Sequence, residues 1–221
     1  MDVHKVNKLP QGKTMESFLS ASKIALSILP YCKRIRIILG NGTCDLDSAV
    51  SALVQGFSDY LDGIKKNETG LAVVPLMNIP EAEYRLKTEV VYFLNRHKIP
   101  SSLLTFRDQI DLRALKENTE VSMEVVLVDH HSLPDEDIFL MDNVVQVIDH
   151  RPRDTCWPWP GRELQLETVG SCATLVARNL LCKHPEVIDP VLSSLIRGKP
   201  SLHTYGIILG SEKEPACQTS L

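Results

Sequence analysis

Three short clusters of ionisable side chains could carry chemistry in this sequence: Asp45-Leu46-Asp47, Asp129-His130-His131 and Asp149-His150-Arg151. Carboxylate oxygens and imidazole nitrogens together suit a divalent cation such as Mn²⁺ or Mg²⁺. An arginine guanidinium can hold two phosphate oxygens at once, which the ammonium group of lysine cannot do. If the clusters meet in space, they predict a metal site beside an anion site.

An apolar run precedes each cluster, at residues 36–39, 126–128 and 145–148. Such β-branched runs are typical of strands that are buried on both faces of a parallel sheet. The carboxyl ends of parallel strands meet at one edge, where open α/β sheets bind their ligands. We therefore expect an α/β fold with a mainly parallel sheet flanked by helices, and the three clusters at one edge of that sheet.

The rest of the chain alternates between helical and strand patterns, as α/β proteins do. The predicted helices are 14–29, a second that begins at Asp47 or Ser48 and runs through Tyr60 with Gly63 as its stop signal, 88–96, 171–181 and 186–196. The predicted strands are 34–39, 71–76, 102–106, 123–128 and 144–148. We expect a flexible N-terminus at 1–13, one catalytic domain at 14–198 and a divergent, disordered tail at 199–221.

Composition excludes several classes of protein. The chain has 221 residues, a formal net charge of −4 and 43% hydrophobic residues, which is ordinary for a globular protein. The acidic balance argues against a nucleic-acid partner, and no apolar run is long enough to predict a membrane span. The six cysteines are scattered, without metal-binding or disulfide-scaffold spacing, so a cytoplasmic location is expected. Outside the clusters, His4, His97 and His184 are expected to face solvent.

The two histidine-containing clusters each allow a functional and a structural interpretation. Asp129 could bridge two cations, and His130 or His131 could bind metal or donate a proton. His150 is a candidate metal ligand, and Arg151 is a candidate group for holding a phosphate oxygen. The alternatives are a polar loop with fortuitous histidines and a surface salt-bridge cluster.

Two predicted helix starts add candidate substrate contacts. Amide groups at a helix N-terminus attract phosphate oxygens, which makes Ser48 and Ser171 candidates, and Asn41 could orient a ligand or a water. The alternatives are a helix N-cap with a surface loop at Asp45-Leu46-Asp47 and tight packing of small residues near Ser171. A pair of cations can activate a water and clamp a phosphoryl group, so metal-assisted hydrolysis of a phosphoanhydride or phosphoester is the resulting hypothesis.

Five segments together resemble the DHH phosphoesterase superfamily, and within it the prune / exopolyphosphatase branch: 40–48, 106–112, 127–131, 147–152 and 169–175. The resemblance implies a parallel α/β catalytic domain that holds two Mn²⁺ or Mg²⁺ ions. It implies hydrolysis of short-chain polyphosphate, pyrophosphate-like substrates or nucleoside phosphates. Prune proteins are also linked with cyclic-nucleotide phosphodiesterase activity and with binding a nucleoside diphosphate kinase.

The resemblance also implies roles for individual residues. Asp45, Asp47 and Asp129 would be metal ligands, with Asp129 bridging, and the remaining histidine ligand would be His150. His130 and His131 supply the signature histidine pair. In related pyrophosphatases a second histidine that contacts phosphate stands at the position of Arg151, and a histidine ligand stands at the position of Asn41.

The sequence departs from this family pattern after Arg197-Gly198. A further metal-binding aspartate is expected there, but the corresponding position falls at His203, or at Gly210 if 199–205 is an insertion. The second, DHH-associated domain is also absent, so we expect a truncated or alternatively spliced form. Two hypotheses follow: a metal-dependent phosphohydrolase with reduced or lost activity, or a catalytically inactive protein-binding or regulatory module. A histidine at position 203 could replace the missing ligand.

Overall fold

The computed structural model of the protein describes residues 10–29, 32–153, 159–187, 192–193 and 195. Its strands are β1 Arg34–Leu39, β2 Leu71–Met77, β3 Thr105–Phe106, β4 Ser122–Val128, β5 Val144–Asp149 and β6 Glu163–Leu166. Its α-helices are α1 Met15–Ser27, α2 Leu46–Lys65, α3 Glu81–Tyr84, α4 Thr88–Arg96, α5 Leu112–Glu117 and α6 Cys172–Lys183. The 3₁₀ segments are Ser101–Leu103, Arg107–Gln109, Asp135–Asn143 and Pro185–Val187.

The six strands form one all-parallel sheet in the order β3-β2-β1-β4-β5-β6. β1 lies inside the sheet, and its Leu39 is in register with Leu76 of β2 and Leu127 of β4. The strand order reverses beside β1, because the chain builds β2 and β3 on one side and β4 to β6 on the other. Such a reversal leaves a ligand-binding crevice at the carboxyl ends of the strands. The predicted α/β fold is confirmed.

Each face of the sheet carries its own hydrophobic cluster. One cluster joins Ile38 and Ile148 to the apolar sides of α2, α4 and α6. The other joins Ile37 and Leu127 to α1, α5 and the indole of Trp159. Successive residues of a strand point to opposite faces, so one apolar run supplies both clusters. The sheet is therefore held between two layers, and its carboxyl edge is left for polar side chains.

The helix α2 is the central helix of the first layer. Asp45 caps its N-terminus, since the Asp45 carboxylate accepts a hydrogen bond from the Ser48 amide. The helix continues to Lys65, beyond the predicted stop at Gly63. Gly63 packs against Leu71, where a Cβ would lie 3.1 Å from Leu71 Cδ2. Packing on the sheet thus outweighs the cost of about 1 kcal/mol that a glycine adds inside a helix.

Most predicted elements are present, with two differences among the strands. Residues 34–39 and 88–96 form the predicted strand and helix, and 71–77, 122–128, 144–149 and 172–183 agree within two residues. The predicted strand at 102–106 is instead a 3₁₀ turn followed by a two-residue strand. The strand β6 was not predicted. Residues 1–9, most of the predicted helix 186–196 and the predicted tail 199–221 lie outside the described residues.

Two of the histidines that were expected to face solvent are buried instead. His97 is 6% exposed and His184 is 2% exposed. His97 Nδ1 donates to the Phe93 carbonyl, and His184 Nε2 lies 2.9 Å from Asp62 Oδ1. His4 lies outside the described residues. Among the described helices, we find none with the length and apolar composition that crossing a bilayer requires.

Candidate metal centre

The loop after β1 is fastened by side-chain hydrogen bonds. Ser48 Oγ accepts from the Asn41 amide at 2.8 Å, and it lies against Gly40, where a Cβ would come within 2.3 Å of that oxygen. Asn41 Oδ1 in turn accepts from the amides of Thr43 and Cys44. Only a residue without a side chain fits at position 40. The loop therefore holds the Asn41 side-chain nitrogen in a defined direction, towards β4.

The two carboxylates of the first cluster have different surroundings. Asp45 caps α2, as the alternative interpretation of this cluster holds, and its other oxygen lies 3.3 Å from Thr43 Oγ1. Asp47 reaches across to the start of α6, where the amides of Cys172 and Ala173 donate to it at 2.9 Å and 2.7 Å. Burial raises the pKa of Asp47, and those two amides act in the opposite direction. The Asp47 carboxylate therefore links the end of β1 to α6.

Asp129 occupies the end of β4 in an uncommon backbone conformation. Its φ of 62° lies in the left-handed region, which costs a non-glycine residue about 1–2 kcal/mol. Asn41 Nδ2 donates to Asp129 Oδ2 at 2.7 Å, and Arg151 Nη1 donates to the Asp129 carbonyl at 2.8 Å. Burial raises the pKa of Asp129 to about 8, with the charges of Asp47 and Asp45 adding to the effect. Neighbouring groups thus hold this carboxyl where its charge is unfavourable.

His150 presents one ring nitrogen to these carboxylates. Its Nδ1 lies 3.1 Å from the Val169 carbonyl, which can only accept, so Nδ1 carries the proton in the neutral ring. Its Nε2 lies 3.3 Å from Asp129 Oδ1 and 3.7 Å from Asp47 Oδ2. A backbone carbonyl behind a histidine is the usual way of orienting a metal ligand.

The donor atoms of Asp47, Asp129 and His150 all lie within 4.8 Å of one another. Asp129 Oδ1 is buried at the centre of this group, and no described residue gives it a hydrogen bond. Three groups of lone pairs that face one another are stabilised by a proton or by a cation between them. Two carboxylates and an imidazole suit Mn²⁺ or Mg²⁺, so the residues present fit a divalent cation. Asp45 is not part of this group, and His203 lies outside the described residues.

The adjacent histidines of the second cluster point to different partners. His130 Nδ1 lies 3.0 Å from the Val128 carbonyl, and burial lowers the pKa of its ring. His131 Nδ1 contacts Asp149 Oδ2, and Asp149 is fully buried. Trp159 Nε1 also donates to the His131 carbonyl at 2.7 Å. His131 is therefore held by its ring and its backbone.

The sequence did not predict a role in the site for two of these positioning residues, Asp149 and Trp159. Asp149 belongs to the third cluster and ends β5, so its place at the edge of the sheet was a usable signal. Its pairing with His131 joins two strand ends and could not be derived from spacing. Trp159 lies between Pro158 and Pro160 in the sequence, and nothing in the sequence connects its indole to His131. The amides of α6 that hold Asp47 were noticed only as possible phosphate contacts.

The remaining predicted residues lie close to the candidate metal centre but have other hydrogen-bond partners. Arg151 is 48% exposed at its side chain and extends from Asp129 towards solvent. The Ser171 hydroxyl caps α6 by accepting from the Thr174 amide at 3.3 Å. The Ser48 hydroxyl holds the Asn41 loop. The structure thus brings Asp47, Asp129 and His150 together and surrounds them with Asn41 and Arg151.

Comparison with known proteins identifies relatives of this chain. The chain is 42% identical to "Exopolyphosphatase PRUNE1" of Bos taurus over 186 residues, which cover 83% of the chain. It is 40% identical to the protein of the same name from Homo sapiens over 186 residues, again 83% of the chain. Over this part of its length, the chain is similar to the prune-like exopolyphosphatases.

The likeness to prune-like proteins concerns one part of them. The chain spans 38% of the length of the bovine and human relatives. A more distant relative, "Protein prune homolog 2" of Mus musculus, is 33% identical over 83% of the chain, which covers 6% of that protein. No protein-family model matches the chain.

Proposed function

We propose that this prune-like chain is a divalent-metal-dependent phosphohydrolase that cleaves the phosphoanhydride bonds of short-chain polyphosphate. The observation that supports the proposal most is that donor atoms of Asp47 and His150 lie beside the buried Oδ1 of Asp129. The exopolyphosphatase names of its relatives support the class of substrate. Activity against cyclic nucleotides belongs to the same proposal, because a phosphodiester presents the same phosphoryl oxygens to the site.

The proposed ligand set follows the geometry. Asp47, Asp129 and His150 would hold one Mn²⁺ or Mg²⁺ ion. Asp129 and Asp45 would share a second ion, for which Asp45 would give up part of its contact with Thr43. The second ion would be bound more weakly than the first, because the side-chain amide of Asn41 already donates a hydrogen bond to Asp129.

The side chains around the ions would bind phosphate and exchange a proton. Divalent cations bound here supply an activated water and neutralise the charge of the phosphoryl group. Arg151 would bind a phosphate oxygen with its exposed guanidinium while it keeps its hydrogen bond to Asp129. His131, held by Asp149 through Nδ1, would exchange a proton at Nε2. The His130 ring would stay uncharged beside it, because burial lowers the pKa of His130.

Three further residues would support substrate binding through the loops they fasten. Asn41 holds Asp129, Ser48 holds Asn41, and Ser171 caps the helix whose amides hold Asp47. Cytoplasmic action is part of the proposal, since Cys32, Cys44, Cys172 and Cys182 carry free thiols. A nucleoside diphosphate kinase as partner rests on the family resemblance alone.

Phosphate release from tripolyphosphate tests the proposal. With saturating Mn²⁺ we expect release by the wild-type chain and loss of at least two orders of magnitude in Asp129→Ala, by analogy with other electrostatic catalytic groups. Asp135→Ala is the control, because Asp135 is exposed and away from the three donor atoms. If the chain binds Mn²⁺ but releases no phosphate, the proposed hydrolase activity is refuted and the protein-binding module is favoured.

A further inference from the structure

The loop after β1 contains the asparagine–glycine pair Asn41-Gly42, and no other asparagine in the sequence precedes a glycine. The backbone nitrogen that follows an asparagine can attack the side-chain carbonyl carbon, which forms a cyclic succinimide and releases ammonia. A glycine favours this ring closure, because it has no side chain and its backbone rotates freely. The pair is therefore a candidate for chemical change without any enzyme.

Gly42 is free to act as the nucleophile. It is exposed in a turn that the Cys44 amide closes by donating to the Asn41 carbonyl at 3.2 Å. A Cβ at position 42 would meet nothing within 4 Å, so the space around this residue is open. Among the described residues, none accepts a hydrogen bond from the Gly42 amide. Its nitrogen can thus approach the Asn41 side chain without losing a hydrogen bond of its own.

The side-chain carbonyl of Asn41 is polarised by its neighbours. Its Oδ1 accepts from the Thr43 amide at 3.0 Å, from the Cys44 amide at 3.2 Å and from Thr43 Oγ1 at 2.6 Å. Donors at a carbonyl oxygen stabilise the negative charge that develops there when a nucleophile adds to the carbon. Three donors on one oxygen therefore favour attack at Asn41 Cγ, and they hold this carbon in the same turn as the Gly42 nitrogen.

The leaving nitrogen of this reaction faces the candidate metal centre. Asn41 Nδ2 donates to Asp129 Oδ2 at 2.7 Å. A carboxylate in place of the amide can only accept, so two carboxylate oxygens would face each other across this short distance. Such a pair is repulsive until a cation or a proton lies between them. The exchange of an amide for an acid would therefore change which ligands the second ion finds.

We propose that Asn41 is a site of spontaneous deamidation in the folded chain, and that the aspartate product strengthens the second ion position. The Gly42 nitrogen forms a bond to Asn41 Cγ, the Cγ–Nδ2 bond breaks, and the Gly42 amide proton leaves with the nitrogen as ammonia. Water then opens the succinimide at either of its carbonyl carbons, which gives aspartate or isoaspartate at position 41. The net reaction consumes water and releases ammonia. The part of the inference that concerns the ion rests on the proposed function.

Peptide mass spectrometry of aged protein tests the modification. Trypsin releases residues 37–65, in which Asn41 is the only asparagine, and replacement of NH₂ by OH gives this peptide a defined gain in mass. We expect the gain to accumulate while the folded, metal-free chain is kept at neutral pH. Gly42→Ala should slow it several-fold, because the added methyl group hinders ring closure. Asn67 is the internal control, since it is exposed in a left-handed conformation but precedes Glu68.

Calorimetric titration with Mn²⁺ tests the effect on the ion. Asn41→Asp reproduces the aspartate product, and we expect it to bind a second ion roughly ten-fold more tightly than wild type, the size of one charge-assisted contact. Asn41→Ala is the control, because it removes the amide donor without adding a carboxylate, and it should not show this gain. Aged wild-type protein should shift in the same direction as Asn41→Asp, in proportion to its deamidated fraction.

The outcomes separate this inference from the proposed function. If the Asn41 peptide keeps its mass in the folded chain, or gains mass only in urea, the inference is overturned while the phosphohydrolase stands. Deamidation with equal Mn²⁺ binding by wild type and Asn41→Asp also overturns it, because the product then leaves the second ion position unchanged. If neither chain binds Mn²⁺, the proposed function and the inference are overturned together.

Discussion

At the scale of single residues, Asp129 concentrates unfavourable features. Its backbone is left-handed, its carboxyl is 1% exposed, and one of its oxygens lacks a donor among the described residues. The charges of Asp47, Asp45 and Asp149 raise its pKa further. Strain and unmet charge of this kind persist where function needs them. A bound cation would offset the repulsion between Asp129 and the other carboxylates.

The metal-free protein should therefore lose stability as pH rises towards 8. Asp129 has a pKa of about 8 in the folded chain against an ordinary 3.8, so folding favours its protonated form. This contribution is present below the ordinary pKa and is lost as pH rises through the folded value. Between pH 6.5 and 8.0 we expect the Tm of EDTA-treated protein to fall by on the order of 2–4 °C. Scanning calorimetry of wild type and Asp129→Asn measures it. A slope that survives in the variant contradicts the assignment to Asp129.

Mn²⁺ should stabilise the folded chain by mass action. A ligand at one hundred times its Kd adds about 2.7 kcal/mol to the free energy of unfolding, provided that it does not bind the unfolded chain. We expect a rise in Tm on adding Mn²⁺ to chelator-treated protein, and little rise in His150→Ala, which lacks the imidazole ligand. His184→Ala removes a buried histidine outside the donor group and serves as the control. Identical melting with and without Mn²⁺ counts against the metal centre.

Asp149 should act as a positioning residue. It is fully buried and contacts His131 Nδ1, so Asp149→Asn keeps the shape and changes the charge behind the ring. Residues that orient such groups are typically worth 10–100-fold in activity or metal affinity. We expect a loss of that size in kcat for tripolyphosphate together with a shift of the acidic limb of the pH–rate profile. A change in KM alone, with an unmoved profile, would point to a structural role.

Residue types in the clusters could be predicted from the sequence, while their partners could not. Two adjacent histidines after a buried strand signalled a site, and His150 was named as a ligand candidate from its strand end. Asp45 shows the limit of this reasoning, because the same aspartate fits a helix cap and a metal ligand. His97 and His184 were wrongly placed in solvent. Their burial depends on helix packing and on the Asp62 carboxylate, which single-residue polarity does not reveal.

At the scale of elements, the buried strands were predictable from the sequence and the edge strand β6 was not. The runs of β1, β4 and β5 are apolar enough to be recognised, because both faces of the sheet bury them. The edge strand β6 has the sequence Glu-Leu-Gln-Leu, and its residues remain partly exposed on both sides. A four-residue strand held by one neighbour depends on the sheet for its existence.

The loop after β1 offers a test at this scale. Gly40→Ala would drive a Cβ into Ser48 Oγ, so we expect a loss of about 1–3 kcal/mol in the free energy of unfolding and looser Mn²⁺ binding. Gly42→Ala is the matched control, since a Cβ there meets nothing within 4 Å. Urea unfolding of both variants measures the difference. Equal midpoints for the two variants would show that Ser48 moves aside without cost.

At the scale of the whole molecule, strand order decides where chemistry can occur. The reversal beside β1 brings the ends of β1, β4 and β5 to one crevice. Asp129 and His150 directly follow β4 and β5, and Asp47 lies in the first turn of α2, after the loop that follows β1. The sequence indicated three strand ends at one edge of a sheet. It did not indicate their order, because order depends on how connections cross the sheet faces. The helix α6 completes the crevice from the far end of the described chain.

The bond between Asp47 and the first turn of α6 has a further consequence for how the site comes into being. It joins residues separated by 125 and 126 positions in the chain. A contact that closes so long a loop forms late in folding, because the chain loses conformational entropy on closing the loop before the contact stabilises it. A nascent chain that stops short of α6 would carry Asp47, Asp129 and His150 without the amides that hold the first of them. Slow deuterium exchange at the Cys172 and Ala173 amides would therefore mark the moment at which the finished centre exists.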